Sequence, residues 1–162
     1  MGEIKETDQV VKRKILFRGK TIDGVWVQGY FYQIMDVENK VLHNMIMRDK
    51  SNIDVFDGKP FQASYMIKPE TISQFTGLYD KNGTPIFEGD ILKECDRYVP
   101  FYEHPIVIDY KHGSFQYREI DEYDYRISID DTEYGISNFG VFKVIGNIYD
   151  NPELLEVDDD KR

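Results

Sequence analysis

Phe75-Thr76-Gly77-Leu78-Tyr79-Asp80-Lys81-Asn82-Gly83-Thr84-Pro85-Ile86-Phe87-Glu88-Gly89-Asp90-Ile91-Leu92 is the stretch whose reading decides the fold. Gly77-Leu78-Tyr79-Asp80 runs into a tight turn at Lys81-Asn82-Gly83, and Thr84-Pro85-Ile86-Phe87 runs out of it. Asn-Gly supplies the positive φ angles that a hairpin turn requires. Glu88-Gly89-Asp90-Ile91-Leu92-Lys93 then opens a new strand. Gly89 suits a bulge or a close backbone approach there, as at the entrance to a strand of a small barrel.

Downstream, Ile106 to Tyr110 reads as a strand, Lys111-His112-Gly113 as a turn, and Ser114 to Tyr117 as the returning strand. Tyr125 to Ile129 and Val141 to Ile145 add two more strands. Glu94 to Pro105 breaks the pattern and reads as a long loop. The chain then reaches Val144-Ile145-Gly146-Asn147-Ile148-Tyr149-Asp150-Asn151-Pro152-Glu153-Leu154-Leu155. Asn151 is placed as an N-cap, Pro152 at the first helical position and Glu153 in the first turn. Leu154 and Leu155 are expected to tuck a one-turn helix onto the core.

Upstream, Asp23-Gly24 is a turn between the apolar run Lys14 to Phe17 and the strand Val25 to Tyr32, which together read as a hairpin. Val37 to Met47 reads as a second strand pair around Glu38-Asn39-Lys40. Asp57-Gly58-Lys59-Pro60 reads as a loop, and Pro69 opens a connector. The fold class is mainly β (β-rich α+β). An N-terminal β-hairpin unit precedes a small SH3-like, barrel-like C-terminal β unit of five strands with a short C-terminal helix. Residues 1–11 read as a disordered leader, 12–156 as the folded part and 157–162 as an acidic tail. A boundary near residues 66–72 divides sub-units 12–68 and 69–156.

Composition agrees. The 162 residues are of ordinary globular makeup, and 12 Tyr and 10 Phe favour a pleated, half-buried surface. Cys95 is the single cysteine, so neither an internal disulfide nor a Cys-rich zinc site can form. No apolar run has the length of a membrane span, and Met1 to Val10 lacks the apolar core of a signal peptide, so a cytoplasmic location is expected.

The net charge of −10 opposes non-specific attraction to phosphate backbones. Lys12, Arg13, Lys14, Arg18 and Lys20 form a basic cluster. Glu119, Asp121, Glu122, Asp124, Asp130, Asp131 and Glu133 form an acidic stretch, and Asp158 to Asp160 close the chain. Such runs are ordinarily solvated faces. They also leave open pairing between subunits, or an acidic face that imitates nucleic acid.

The two quoted motifs make the chain resemble the YopX family of phage and prophage proteins. The resemblance rests on Gln74 to Gly83, on Ile86 to Ile91 and on Val144 to Leu155. It takes in Lys14-Ile15-Leu16-Phe17-Arg18-Gly19 and so spans about residues 13–156. The motif positions it singles out are Thr76, Gly77, Leu78, Asp80, Asn82, Gly83, Glu88, Gly89, Asp90, Gly146, Asn147, Asn151, Pro152, Glu153 and Leu154. The resemblance implies a phage-derived protein of Gram-positive bacteria and their viruses that forms homo-oligomers. It brings no catalytic residues to carry over. Partner-specific surfaces are expected in the Glu94 to Pro105 connection and in the acidic stretch after Tyr117.

Chemistry is sparse. His43, His104 and His112 show no ligand spacing. Asp80-Lys81-Asn82-Gly83 lacks the third oxygen ligand and the Glu of a calcium loop, so it reads as a turn. Glu88 and Asp90 would share a face on a continuous strand and could divide acid and base roles if their pKa values were pushed apart. Gly89 between them suggests a bend, and hydrogen bonds from backbone amides to Asp90 are the expected role. Cys95 and His104 are near only in sequence. No phosphate loop, nucleophile elbow or dinucleotide fingerprint appears. The expectation is a non-catalytic protein without cofactor or metal. It would self-associate and contact a host or phage protein. The alternative is a nucleic-acid-associated module, either a direct binder through residues 12–20 or an acidic mimic through residues 119–133.

Overall fold

The computed structural model describes residues 14–48, 54–95, 104–120, 126–128 and 141–156. The leader, Lys12 and Arg13, most of the 94–105 connection, most of the acidic stretch and the acidic tail lie outside them. The fold is mainly β. In chain order the strands are β1 (Phe17–Lys20), β2 (Trp26–Asp36), β3 (Val41–Arg48), β4 (Asp54–Phe56), β5 (Lys59–Phe61) and β6 (Ser64–Met66). They continue as β7 (Ser73–Tyr79), β8 (Pro85–Phe87), β9 (Asp90–Glu94), β10 (Ile106–Lys111), β11 (Ser114–Glu119), β12 (Arg126–Ser128) and β13 (Phe142–Asn147). Short 3-10 turns occupy Pro69–Thr71 and Pro152–Leu155.

A six-stranded antiparallel sheet has the order β6-β3-β2-β1-β7-β8, and a five-stranded one the order β12-β11-β10-β9-β13. Strands β7 and β8 lie past residue 72 yet belong to the first sheet, where β7 pairs with β1 through Phe17↔Gln74. The first sheet therefore draws strands from both sides of residues 66–72. Strands β4 and β5 make a separate two-stranded ribbon.

Alternation of apolar side chains builds the cores. One cluster gathers Ile86, Leu92, Ile106, Ile108, Tyr117 and Phe142, with Leu78 and Val144 against it. A second, under the first sheet, gathers Val27, Ile46 and Ile67. Some of the aromatic side chains form ring pairs, such as Phe75–Phe87 and Phe17–Phe31, each with centroids 5.5 Å apart.

The β1–β2 hairpin turns at Asp23-Gly24 as its sequence predicts, and β10 returns as β11 through His112-Gly113, both at positive φ. Three readings change. The segment Val37 to Met47 does not hold two strands: β3 alone forms there and pairs with β2, because Glu38 to Lys40 are the turn between them. Lys59-Pro60 lies in β5 rather than in a loop, and only Asp57-Gly58 turns. In the first motif Gly83 takes a positive φ of 78° and Asn82 does not, because the Asp80 carboxylate shapes a wider loop.

Candidate functional site

The motif residues converge where the two sheets meet. Thr76 Oγ1 donates to Ile86 O at 2.8 Å, tying β7 to β8 while the ladder bulges around Gly77. Leu78 packs on the main core. Asp80 is buried at the loop entrance. Its Oδ1 accepts from the amides of Asn82 and Thr84, each at 2.8 Å, and its Oδ2 accepts from Val144 N on β13 at 3.1 Å. One carboxylate thus shapes the β7–β8 loop and fastens it to the other sheet. Burial raises its pKa, the three amides lower it, and the net direction is down.

Gly89 is the hinge between β8 and β9. Its N–H donates to Ile108 O at 2.8 Å, and its carbonyl accepts from Ile148 N at 2.9 Å. Its φ is +77°, and a Cβ there would lie 3.2 Å from Ile148 and from Tyr149. Glycine answers both the backbone sign and the lack of room.

Glu88 and Asp90 do not act as a matched pair. Gly89 bends the chain between them. Burial pushes both pKa values upward, Glu88 half-buried and Asp90 wholly so, with Arg18 working against the rise at Asp90. Asp90 accepts from Phe87 N at 2.8 Å, the backbone role its sequence predicts. Its main partner is one the sequence does not announce. Arg18 Nη2 lies 2.5 Å from Asp90 Oδ1. Among the described residues this contact is an ion pair without a hydrogen bond to Asp90 Oδ1, Arg18 Nε has no acceptor, and Arg18 Nη2 donates to Glu88 O at 3.4 Å. The guanidinium lies over both the Trp26 and the Phe87 ring, 4.9 Å from each centroid.

A second clasp lies alongside. Lys20 Nζ pairs with Asp150 Oδ1, and Trp26 Nε1 donates to Asp150 Oδ2 at 2.6 Å. The Lys20 and Trp26 donors, first in that order, hold the Asp150 pKa down at about 2. An open groove of about 340 Å³ runs past Trp26, Gln28, Pro85, Asn147 and Asp150. Two cations of the Lys12–Lys20 cluster are therefore committed to carboxylates of the chain itself.

The closing motif folds back on itself. Asn147 Oδ1 accepts from Tyr149 N and Asp150 N, each at 3.0 Å. Asn151 sits at the N-cap position but makes no side-chain cap bond. Its Oδ1 instead accepts from Asn147 N at 3.3 Å, and its Nδ2 donates to Glu153. A Cβ on Gly146 would fall 2.5 Å from that Oδ1. Pro152 starts a 3-10 turn, and Leu154 and Leu155 pack on the Ile91, Val107 and Ile120 cluster as expected.

Elsewhere, His43 lies on β3, His112 in the β10–β11 turn, and Glu119 Oε1 accepts from His104 N at 2.8 Å. Among the described residues no group of three metal-ligating side chains occurs. The Cys95 thiol lies 3.5 Å from Lys93 O. No helix of the described residues is long and apolar enough to cross a membrane.

One surface stands apart from the motifs. β1 pairs with β2 only as far as Gly29, and β6 pairs with β3 only from Met45 to Met47. Beyond those limits the β2–β3 hairpin continues as a two-stranded arm. Asp36 builds its turn by accepting from the Glu38 and Asn39 amides. Large apolar side chains on it are open to solvent: Val37 at 80%, Met35 at 55% and Leu42 at 47%, with Ile34 and Val41 close behind. Sequence reading missed the arm because strand composition does not say where a neighbouring strand stops.

Residues 17–156 match the YopX protein family. The chain belongs to the YopX family. The chain is also similar in fold to a solved structure, the crystal structure of protein EF1440 from Enterococcus faecalis. That chain is 27% identical, with a TM-score of 0.53 over 88% of this chain and 99% of that one. No curated protein matches. In this chain Asp80, Gly89 and Asp90 of the motif make contacts that join the two sheets.

Proposed function

We propose that this YopX-family chain is a non-catalytic, phage-type protein-interaction module that self-associates. The observation that carries the reading is the arm. A two-stranded ribbon is marginal alone in water. Exposed contiguous apolar patches mark interaction sites, and here both faces of the ribbon carry such side chains. The non-catalytic part draws support from the motif carboxylates. Asp80, Asp90 and Asp150 have donors or cations of the chain itself. The engagement of Arg18 and Lys20 takes charge away from a phosphate-binding face, which disfavours the direct nucleic-acid reading.

Light scattering over a concentration series tests the proposal. Wild-type chain is expected to exceed monomer mass as concentration rises. A Met35→Lys, Leu42→Glu variant is expected to remain monomeric, since these two residues face each other across the arm and the new charges attract. Wild-type chain that is monomeric throughout would sink the proposal.

A further inference from the structure

We infer that the partner of the arm is a second copy of this chain, joined edge to edge along β2 in one register centred on Gln33. The inference rests on the proposed self-association and specifies its surface.

The hydrogen-bonding parity of the ladder leads there. Ile67 N donates to Asn44 O, and Arg48 N donates to Ala63 O, so even-numbered residues of β3 point toward β6. Odd-numbered ones therefore point toward β2. Their partners Tyr30, Tyr32, Ile34 and Asp36 spend their backbone groups on β3. The intervening Phe31, Gln33 and Met35 direct N–H and C=O to the opposite edge. Nearer the base that edge is filled by β1, up to Phe17↔Gly29. Among the described residues no strand pairs there beyond Gly29. Unpaired edges of this kind are templates for another strand.

Self-complementarity selects the occupant and the register. In an antiparallel β2–β2 pair about a two-fold axis at Gln33, Gln33 of one copy faces Gln33 of the other. Phe31 then faces Met35 of the second copy on one side of the sheet. Tyr32 faces Ile34 on the other, an aromatic against a β-branched side chain. A one-residue slip sets the outward-pointing Gln33 against the inward-pointing Tyr32 or Ile34, and a two-residue slip moves Gln33 against Phe31 or Met35, so either loses that match. The centred register also covers Ile34 and Met35, which are about half exposed in the single chain. A ladder this short buries less than about 1,200 Å², the range of weak and transient contacts. The dimer is therefore expected to be reversible and concentration-dependent.

The test places one cysteine on the axis. Gln33→Cys in a Cys95→Ser background puts two thiols at strand-pair spacing, within disulfide reach. Met35→Cys in the same background is the control, since its two copies lie four residues out of register. Gln33 is exposed and loses only its bond to Asn44, so the arm is expected to persist. Under mild oxidation the Gln33→Cys chain is expected to form disulfide dimer at least ten times faster than Met35→Cys. Equal or reversed rates in a chain that light scattering shows to be oligomeric would overturn the register and leave self-association standing. A chain monomeric at every concentration would overturn both.

Discussion

The guanidinium of Arg18, on β1, neutralises the fully buried carboxylate of Asp90 at the start of β9, in the other sheet, at 2.5 Å. Such a pair adds little net stability, because both ions are largely desolvated. Removing one partner is another matter. Arg18→Met is expected to cost about 3–5 kcal/mol by leaving Asp90 buried and unpaired. Asp90→Asn added to it keeps an acceptor for Phe87 N and is expected to recover most of that loss. Urea unfolding of the four chains in this cycle measures the coupling. Additive losses would show that the pair does not act as a unit.

Asp80 shares the connection of its loop to β13 with Lys81, whose N–H donates to Phe142 O at 2.9 Å, and it alone also shapes the loop through its side chain. Asp80→Ala orphans three amides, and the expected cost is about 2–4 kcal/mol. Asp80→Asn keeps an acceptor for Asn82 and Thr84 but turns an NH₂ toward Val144 N. Its folded pKa is lowered, so its contribution is full above the ordinary value of 3.8 and is lost as pH falls through the folded value. Glu88 runs oppositely. Burial raises its folded pKa above the ordinary 4.5, so the chain gains stability from Glu88 as pH falls through that raised value. Urea midpoints against pH should show a flatter acid limb for Asp80→Asn. They should also show no gain on mild acidification that depends on Glu88 in Glu88→Gln. A Glu88→Gln profile that parallels wild type would refute the assignment.

What the sequence makes legible follows the range of the interactions. Turns at Asp23-Gly24 and His112-Gly113 are local, and both form as read. The strand entrance at Gly89 and the 3-10 start at Pro152 are also local. The Arg18–Asp90 pair joins distant segments, and no periodicity signals it. Asn151 shows the same limit within a motif: its composition reads as an N-cap, yet the tight passage at Gly146 draws its side chain to Asn147 instead. The arm was hidden for a topological reason. Its exposure follows from β1 being four residues long beside an eleven-residue β2, and strand pairing is a non-local property.

Gly89 and Gly83 separate two costs that usually travel together. Both have positive φ, but a Cβ at Gly83 meets nothing within 4 Å, whereas one at Gly89 presses on Ile148 and Tyr149. Gly83→Ala is expected to cost about 1–2 kcal/mol, the price of a left-handed non-glycine residue. Gly89→Ala adds crowding of about 1–3 kcal/mol. Thermal unfolding of the two variants measures the difference, and equal losses would mean that the 146–151 segment yields freely.

Trp26 is the single tryptophan, so its fluorescence reports the Asp150 clasp without interference. Asp150 titrates at about 2 in the folded chain against an ordinary 3.8. For an acid lowered in this way, the stabilising contribution is complete above 3.8 and disappears as pH falls through about 2. A fluorescence titration on folded chain should therefore change with a midpoint near 2 rather than near 3.8. Lys20→Met removes the largest contribution and should move the midpoint upward. Asp150→Asn should abolish the step, since the indole N–H then has only a neutral acceptor. A wild-type midpoint unmoved by Lys20→Met would mean that the lysine does not hold the carboxylate and that the clasp rests on Trp26 alone.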